Sequence, residues 1–125
     1  MNTIGRKQWA IPEGYIPAGR HGPEPAMLSH ECVCILNAGE TPANVTLTVF
    51  YTDRAPVKYR LTVPAERTKH VRFNNLTDPE KIPVATEFSS VIESDVPVVC
   101  QHTRLDSRQS ENALLSTIAF PGDDG

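Results

Sequence analysis

Aromatic residues, cysteine and long apolar runs are all scarce in this chain of 125 residues. Aromatics make up 6% of it, and the single tryptophan is Trp9. Apolar stretches are broken after a few residues, far short of the roughly 20 needed to cross a bilayer as a helix. No membrane insertion is therefore expected. Three cysteines, an odd number, do not make a disulfide framework. Residues 1–15 lack the apolar core of a signal peptide. Together these predict reduced thiols and a cytoplasmic location. An excess of one charge is missing too. Twelve Lys and Arg stand against fifteen Asp and Glu, for a formal net charge of -3, which gives no global attraction to nucleic acid or an anionic membrane. A sustained 3.6-residue apolar period, an internal repeat and a low-complexity tract are all absent.

The chain is rich in proline (eleven) and also carries seven glycines. Between those breaks lie short β-branched runs. Residues 31–36 are apolar on both faces and read as a central strand. In 45–51, Val45, Leu47, Val49 and Tyr51 alternate onto one face. Residues 57–63 alternate likewise. In 67–73, Val71 and Phe73 oppose Thr68, His70 and Arg72. Further strands are expected at 88–92, 96–100 and 113–120. Strands at this spacing with turn signals between them predict one all-β domain over 1–125. Its expected form is an antiparallel β-sandwich, jelly-roll-like or barrel-like. Residues 9–26 contain Pro12, Gly14, Pro17, Gly19, Gly22, Pro23 and Pro25. That density predicts an irregular N-terminal loop wrapped over the domain rather than a central strand.

The polar chemistry concentrates in residues 101–112, expected to connect the last two strands. Gln101, His102, Arg104, Asp106, Arg108 and Glu111 lie there without a glycine or proline, so the connection is more elaborate than a hairpin turn needs. One reading is an ion-pair network that braces a loop or a subunit interface. The other is a pocket, in which arginine and carboxylates hold hydroxyl or anionic groups and an aromatic stacks on an apolar sugar face. Trp9, Glu13 and Tyr15 would complete it if the N-terminal segment folds over.

Three other groupings carry weaker signals. His30, Cys32 and Cys34 share one strand face, and Cys100 and His102 share another. Thiolate and imidazole suit soft metals, but no C-x2-C or H-x3-H spacing is present and cysteine is often a small buried hydrophobe. No metal or cofactor is therefore expected. Thr68, Lys69, His70 and Arg72 form a basic strand that would suit phosphates or simply face solvent. Ser107 or Ser110 with His102 and Asp106 supplies triad residue types without a G-x-S-x-G elbow, so the chain is read as non-enzymatic.

Longer stretches carry a resemblance. They are Gly5-Arg6, Trp9-Ala10-Ile11, Glu13-Gly14-Tyr15-Ile16-Pro17, Gly22-Pro23-Glu24-Pro25, Ser29-His30-Glu31 and Val33-Cys34-Ile35-Leu36-Asn37-Ala38-Gly39. Further on come Tyr59-Arg60-Leu61-Thr62-Val63-Pro64-Ala65, Arg67-Thr68-Lys69-His70-Val71-Arg72-Phe73-Asn74, the run from Gln101 to Gln109, and Glu111 to Ala119. Across roughly residues 4–119 the chain resembles the Anabaena sensory rhodopsin transducer family. The resemblance implies an all-β sandwich, a cytoplasmic homotetramer and a signalling role beside a membrane photoreceptor, with a link to DNA. It also implies kinship with small-molecule, sugar-like binding domains. The polar positions it shares are Trp9, Glu13, His30, Glu31, His70, Arg72, Gln101, His102, Arg104, Asp106 and Arg108, which are taken as the candidate ligand site. The chain departs from the family pattern at Cys32, at Cys100 and in its acidic end, residues 121–125.

Overall fold

One long strand runs through the centre of the molecule. In the computed structural model, which describes residues 4–18, 29–108 and 113–122, eight strands follow one another in the chain. They are β1 (Arg6–Tyr15), β2 (His30–Asn37), β3 (Ala43–Tyr51), β4 (Val57–Val63), β5 (Arg67–Arg72), β6 (Glu87–Asp106), β7 (Ala113–Ile118) and β8 (Phe120–Pro121). A single 3-10 turn, Phe73–Asn75, follows β5. All pairings are antiparallel. The first half of β6 lies between β3 and β1, giving the order β4-β3-β6-β1-β8. Its second half lies between β2 and β7, and β5 closes the far side of β2. So the strand leaves one sheet and enters the other without a turn, and the expected all-β architecture is what forms.

Alternation makes the core. Even-numbered residues of β6 face inward over most of its length: Phe88, Ser90, Ile92, Ser94, Val98, Cys100 and His102 are buried, and at its end Leu105 is buried as well. Phe88, Ile92, Val98 and Cys100 meet Val45, Leu47 and Val49 of β3, Tyr59 and Val63 of β4, and Val33 and Ile35 of β2 in one cluster. Phe73 meets Phe88 edge to face at 5.6 Å, a favoured aromatic geometry. The Tyr59 hydroxyl donates to the Glu80 carbonyl at 2.6 Å. This ties down the segment that buries Ile82.

Three expectations need correction. Residues 88–92 and 96–100 are not two strands but parts of one, because Pro97 falls in the stretch where β6 passes between its two sets of partners and pairs in register with none, so its missing N–H costs the ladder little. Residues 6–15 are not a loop: β1 pairs with β6 and β8, and its irregularity is absorbed by register shifts between Arg6 and Gln8 and between Ile11 and Gly14. Trp9 locks that pairing, its indole N–H donating to the carbonyls of Val98 at 2.9 Å and Arg6 at 3.0 Å. Residues 101–106, expected in a connection, continue β6. Residues 19–28 of the expected N-terminal loop and 109–112 of the polar stretch, including Glu111, lie outside the described residues.

Candidate functional site

The second half of β6 turns polar on its inner face. Glu31 of β2 pairs in register with Arg104, and Val33 with His102. Period-two alternation therefore brings Glu31, His102 and Arg104 together inside the sheet. Glu31 is fully buried. Its Oε1 contacts His102 Nε2. Its Oε2 accepts from Arg104 Nε at 2.7 Å and from the backbone N–H of Tyr15 at 2.7 Å. A buried carboxylate is tolerable only when paired and fully hydrogen-bonded, and three donors from β1 and β6 converge on this one.

A polar layer supports the cluster. Ser107 N–H donates to Ser29 Oγ at 2.8 Å, and the two serine hydroxyls lie 3.0 Å apart. Asn74 donates to the Ser29 carbonyl at 3.0 Å and accepts from the Glu31 N–H at 3.3 Å. The start of β2, the turn after β5 and the end of β6 are thus fastened around the carboxylate.

Arg104 and His102 open onto different clefts. Arg104 lines a cleft of about 540 Å³ between β1, β3 and the start of β6, with Glu13, Tyr15, Tyr51 and Glu87 among its walls. Arg104 Nη1 lies 3.4 Å from Glu13. Tyr51 Oη and Arg104 Nη2 are buried and find no hydrogen-bond partner among the described residues. Burial raises the Tyr51 pKa above its ordinary value, opposed by Arg54, whose guanidinium stands 4.7 Å from the ring centre. Gly14 is required here: a Cβ on it would lie 2.4 Å from the Phe88 ring. His102 lines a second, apolar cleft of about 370 Å³, formed with Ile11, Ile118 and Phe120.

The eleven candidate residues therefore do not form one site. Glu13, Glu31, His102 and Arg104 come together as described. His30, His70 and Arg72 lie on the opposite, outer face, in a cleft of about 560 Å³ with Cys32, Cys34 and Thr103. Gln101 is on an outer face too, bonded to Ser116 at 2.8 Å. Asp106 and Arg108 form a local pair at 2.8 Å, which holds the Asp106 carboxyl below its usual range and raises Arg108. Trp9 belongs to the core. The five-residue thiol and imidazole grouping also splits, because Cys100 and His102 face inward and the other three outward. Tyr51, Glu87, Ser29 and Asn74 were not singled out as site residues from the sequence, and Ser107 was weighed there only as a nucleophile. Tyr51 ends an alternating strand on its inner face, a signal that was there to be used, whereas the Asn74 contacts depend on a turn that alternation does not report.

The molecule is thus an all-β domain with an ionic inner layer and a polar cleft. The family model described as Anabaena sensory rhodopsin transducer matches residues 4–121, and the chain belongs to that family. It is similar to the solved structure of Anabaena sensory rhodopsin transducer, with 61% identity and a TM-score of 0.75 over 84% of this chain and 100% of that one. It is also similar to a crystal structure of Thermotoga maritima 1070, with 34% identity and a TM-score of 0.85 over 94% of this chain and 96% of that one. No curated protein matches the chain.

Proposed function

We propose that this chain is a non-enzymatic transducer domain that binds a small polar, sugar-like molecule in the Arg104 cleft and relays the event through partner contacts. The observation that carries the reading is a pair of buried polar atoms without a hydrogen-bond partner among the described residues, Tyr51 Oη and Arg104 Nη2, at residues lining one cleft. Such groups cost about 1–3 kcal/mol each when unsatisfied, and a bound hydroxyl-rich molecule would offset that. Glu13 and Glu87 supply acceptors for hydroxyls, and Tyr15 supplies an aromatic surface. The relay runs through Glu31, which joins Arg104 on the ligand side to His102 on the apolar side.

The apolar side favours a protein partner. Leu114, Leu115, Ile118 and Phe120 of β7 and β8 are 49–70% exposed, a concentration that marks interaction surfaces. This supports a self-association surface, and the cytoplasmic homotetramer is proposed from the family resemblance. The exposed apolar side equally supports the second reading, a scaffold contacting a membrane photoreceptor. Among the described residues no helix is long and apolar enough to cross a membrane. Contact with DNA would use the exposed Arg67, Lys69 and His70 of β5. It would show as a steep salt dependence that weakens in Lys69→Ala.

The test is thermal unfolding with a panel of sugars, sugar phosphates and organic acids, since a ligand that binds only the folded state raises the midpoint. A shift that shrinks in both Tyr51→Phe and Glu87→Gln, with oligomer size unchanged, is expected. No shift with any compound, or one indifferent to both substitutions, would remove the cleft from the account.

A further inference from the structure

We propose that Cys32 and Cys34 form a two-thiolate site for Cu(I) on the outer face of β2, separate from the Arg104 cleft. The two residues are next-but-one on a strand, so their side chains leave the same face. Both are partly exposed free thiols. Both line the same cleft, so rotation about their Cα–Cβ bonds can bring the sulfurs toward each other. His30, His70, Arg72 and Thr103 line the same cleft. Across the sheet, Cys34 stands opposite His70 and Gln101, and Cys32 opposite Arg72 and Thr103.

Geometry selects the chemistry. Positions i and i+2 of a strand are about 6.6 Å apart, whereas a disulfide needs Cβ atoms about 3.8 Å apart. Parallel side chains on one flat strand therefore resist direct S–S closure. A metal between the two sulfurs relaxes that demand. With metal–thiolate bonds of about 2.3 Å, a linear S–metal–S unit spans about 4.6 Å, which two thiols leaning inward from a 6.6 Å spacing can meet. A structural zinc site requires four converging ligands. Among the described residues no group of three His, Cys, Asp or Glu side chains is placed to hold a metal. Cu(I) is soft, prefers thiolate and accepts two ligands in a line. Cys100 is excluded because it is fully buried on the other face.

Binding is a proton exchange without redox change. Two thiols and one Cu(I) give a bis-thiolate complex of charge -1 and release two protons. Arg72, opposite Cys32, supplies compensating positive charge. A cysteine thiol ordinarily titrates at about 8.5–9, so near neutral pH each sulfur that becomes a ligand gives up a proton. The affinity then rises roughly a hundredfold per pH unit, because two protons leave for each ion bound.

The experiment is an anaerobic titration of the purified, metal-free chain with Cu(I) against a chromophoric Cu(I) chelator, repeated at two pH values. One equivalent per chain is expected to be withheld from the chelator, with the two-proton dependence. Cys32→Ser and Cys34→Ser should each lose it, and Cys100→Ser should keep it. X-ray absorption on the loaded, unmodified chain gives a readout that does not depend on any variant folding, and two sulfur neighbours are expected. The proposal is overturned if the chelator takes all the copper from the unmodified chain. Retention in the Cys32→Ser, Cys34→Ser double variant, or only nitrogen and oxygen around the metal, overturns it equally.

Discussion

The two halves of β6 share a backbone and an alternation but are built on different interactions. From Phe88 to Ser94 the inner residues meet Leu47, Val49, Trp9 and Ile11. There stability comes from apolar area removed from water, at about 25 cal/mol per Å². From His102 to Arg104 the same inward phase meets Glu31, and the local structure depends on charges satisfying one another. The apolar half can lose a methyl group gradually. The ionic half fails abruptly, because deleting one partner strands the others in a poorly solvating interior. The half that is expensive to alter is also the one that opens onto the clefts.

Substitutions that break the comparison come first. Glu31→Ala removes the acceptor for Arg104, His102 and the Tyr15 N–H. It is expected to cost about 3–5 kcal/mol in urea unfolding, the scale for orphaning a buried ionic partner. Removing Arg104 as well should cost less than the sum of the two single changes, and strict additivity would mean the contacts are not coupled. In the apolar half, Ile92→Val should cost only about 1 kcal/mol. A larger loss there than at Glu31 would reverse the argument.

Alkaline pH gives an intermediate effect spread over both halves and the outer face. Burial pushes Cys100 and Tyr59 up to about 12, and burial together with Cys34 does the same for Cys32. Their ordinary values are 9.0 for the thiols and 10.0 for the phenol. Between those values and 12 the unfolded chain has released protons that the folded chain still holds. The unfolded state binds fewer, so stability falls as pH rises. Unfolding midpoints should hold up to about pH 9 and drop from there toward 12, and Cys100→Ala should make the early part of the fall shallower. A flat profile across that window would contradict the burial of these groups. The smallest expected loss is that of Tyr51→Phe without ligand. Removing a buried hydroxyl that has no partner among the described residues should cost nothing and should raise stability by up to about 1–3 kcal/mol. A loss above 2 kcal/mol would mean the hydroxyl already has a structural role.

Much of this was legible beforehand. The strands around Val45, Leu47 and Val49 and around Tyr59 and Val63 follow from period-two burial, a local signal. The Trp9 to Tyr15 segment was misread because its proline and glycine content argues for a loop. It becomes a strand because β6 offers it a partner and register shifts absorb the misfits, neither of which is encoded locally. Glu31, His102 and Arg104 were each picked out as polar residues beside strands. Their meeting depends on pairing across some seventy residues, and alternation along one strand carries no information about its neighbour.

By itself, the sequence determined the all-β class, the inward set of apolar residues and the supply of polar chemistry, because each depends on residue type and near spacing. Only the tertiary structure decided that β6 would serve two sheets. It also decided that Glu31 would be buried between His102 and Arg104, and that Cys32 and Cys34 would face away from Cys100. Those outcomes depend on strand register, which is set by the packing of the whole core, since a slip of one residue turns every side chain to the opposite face.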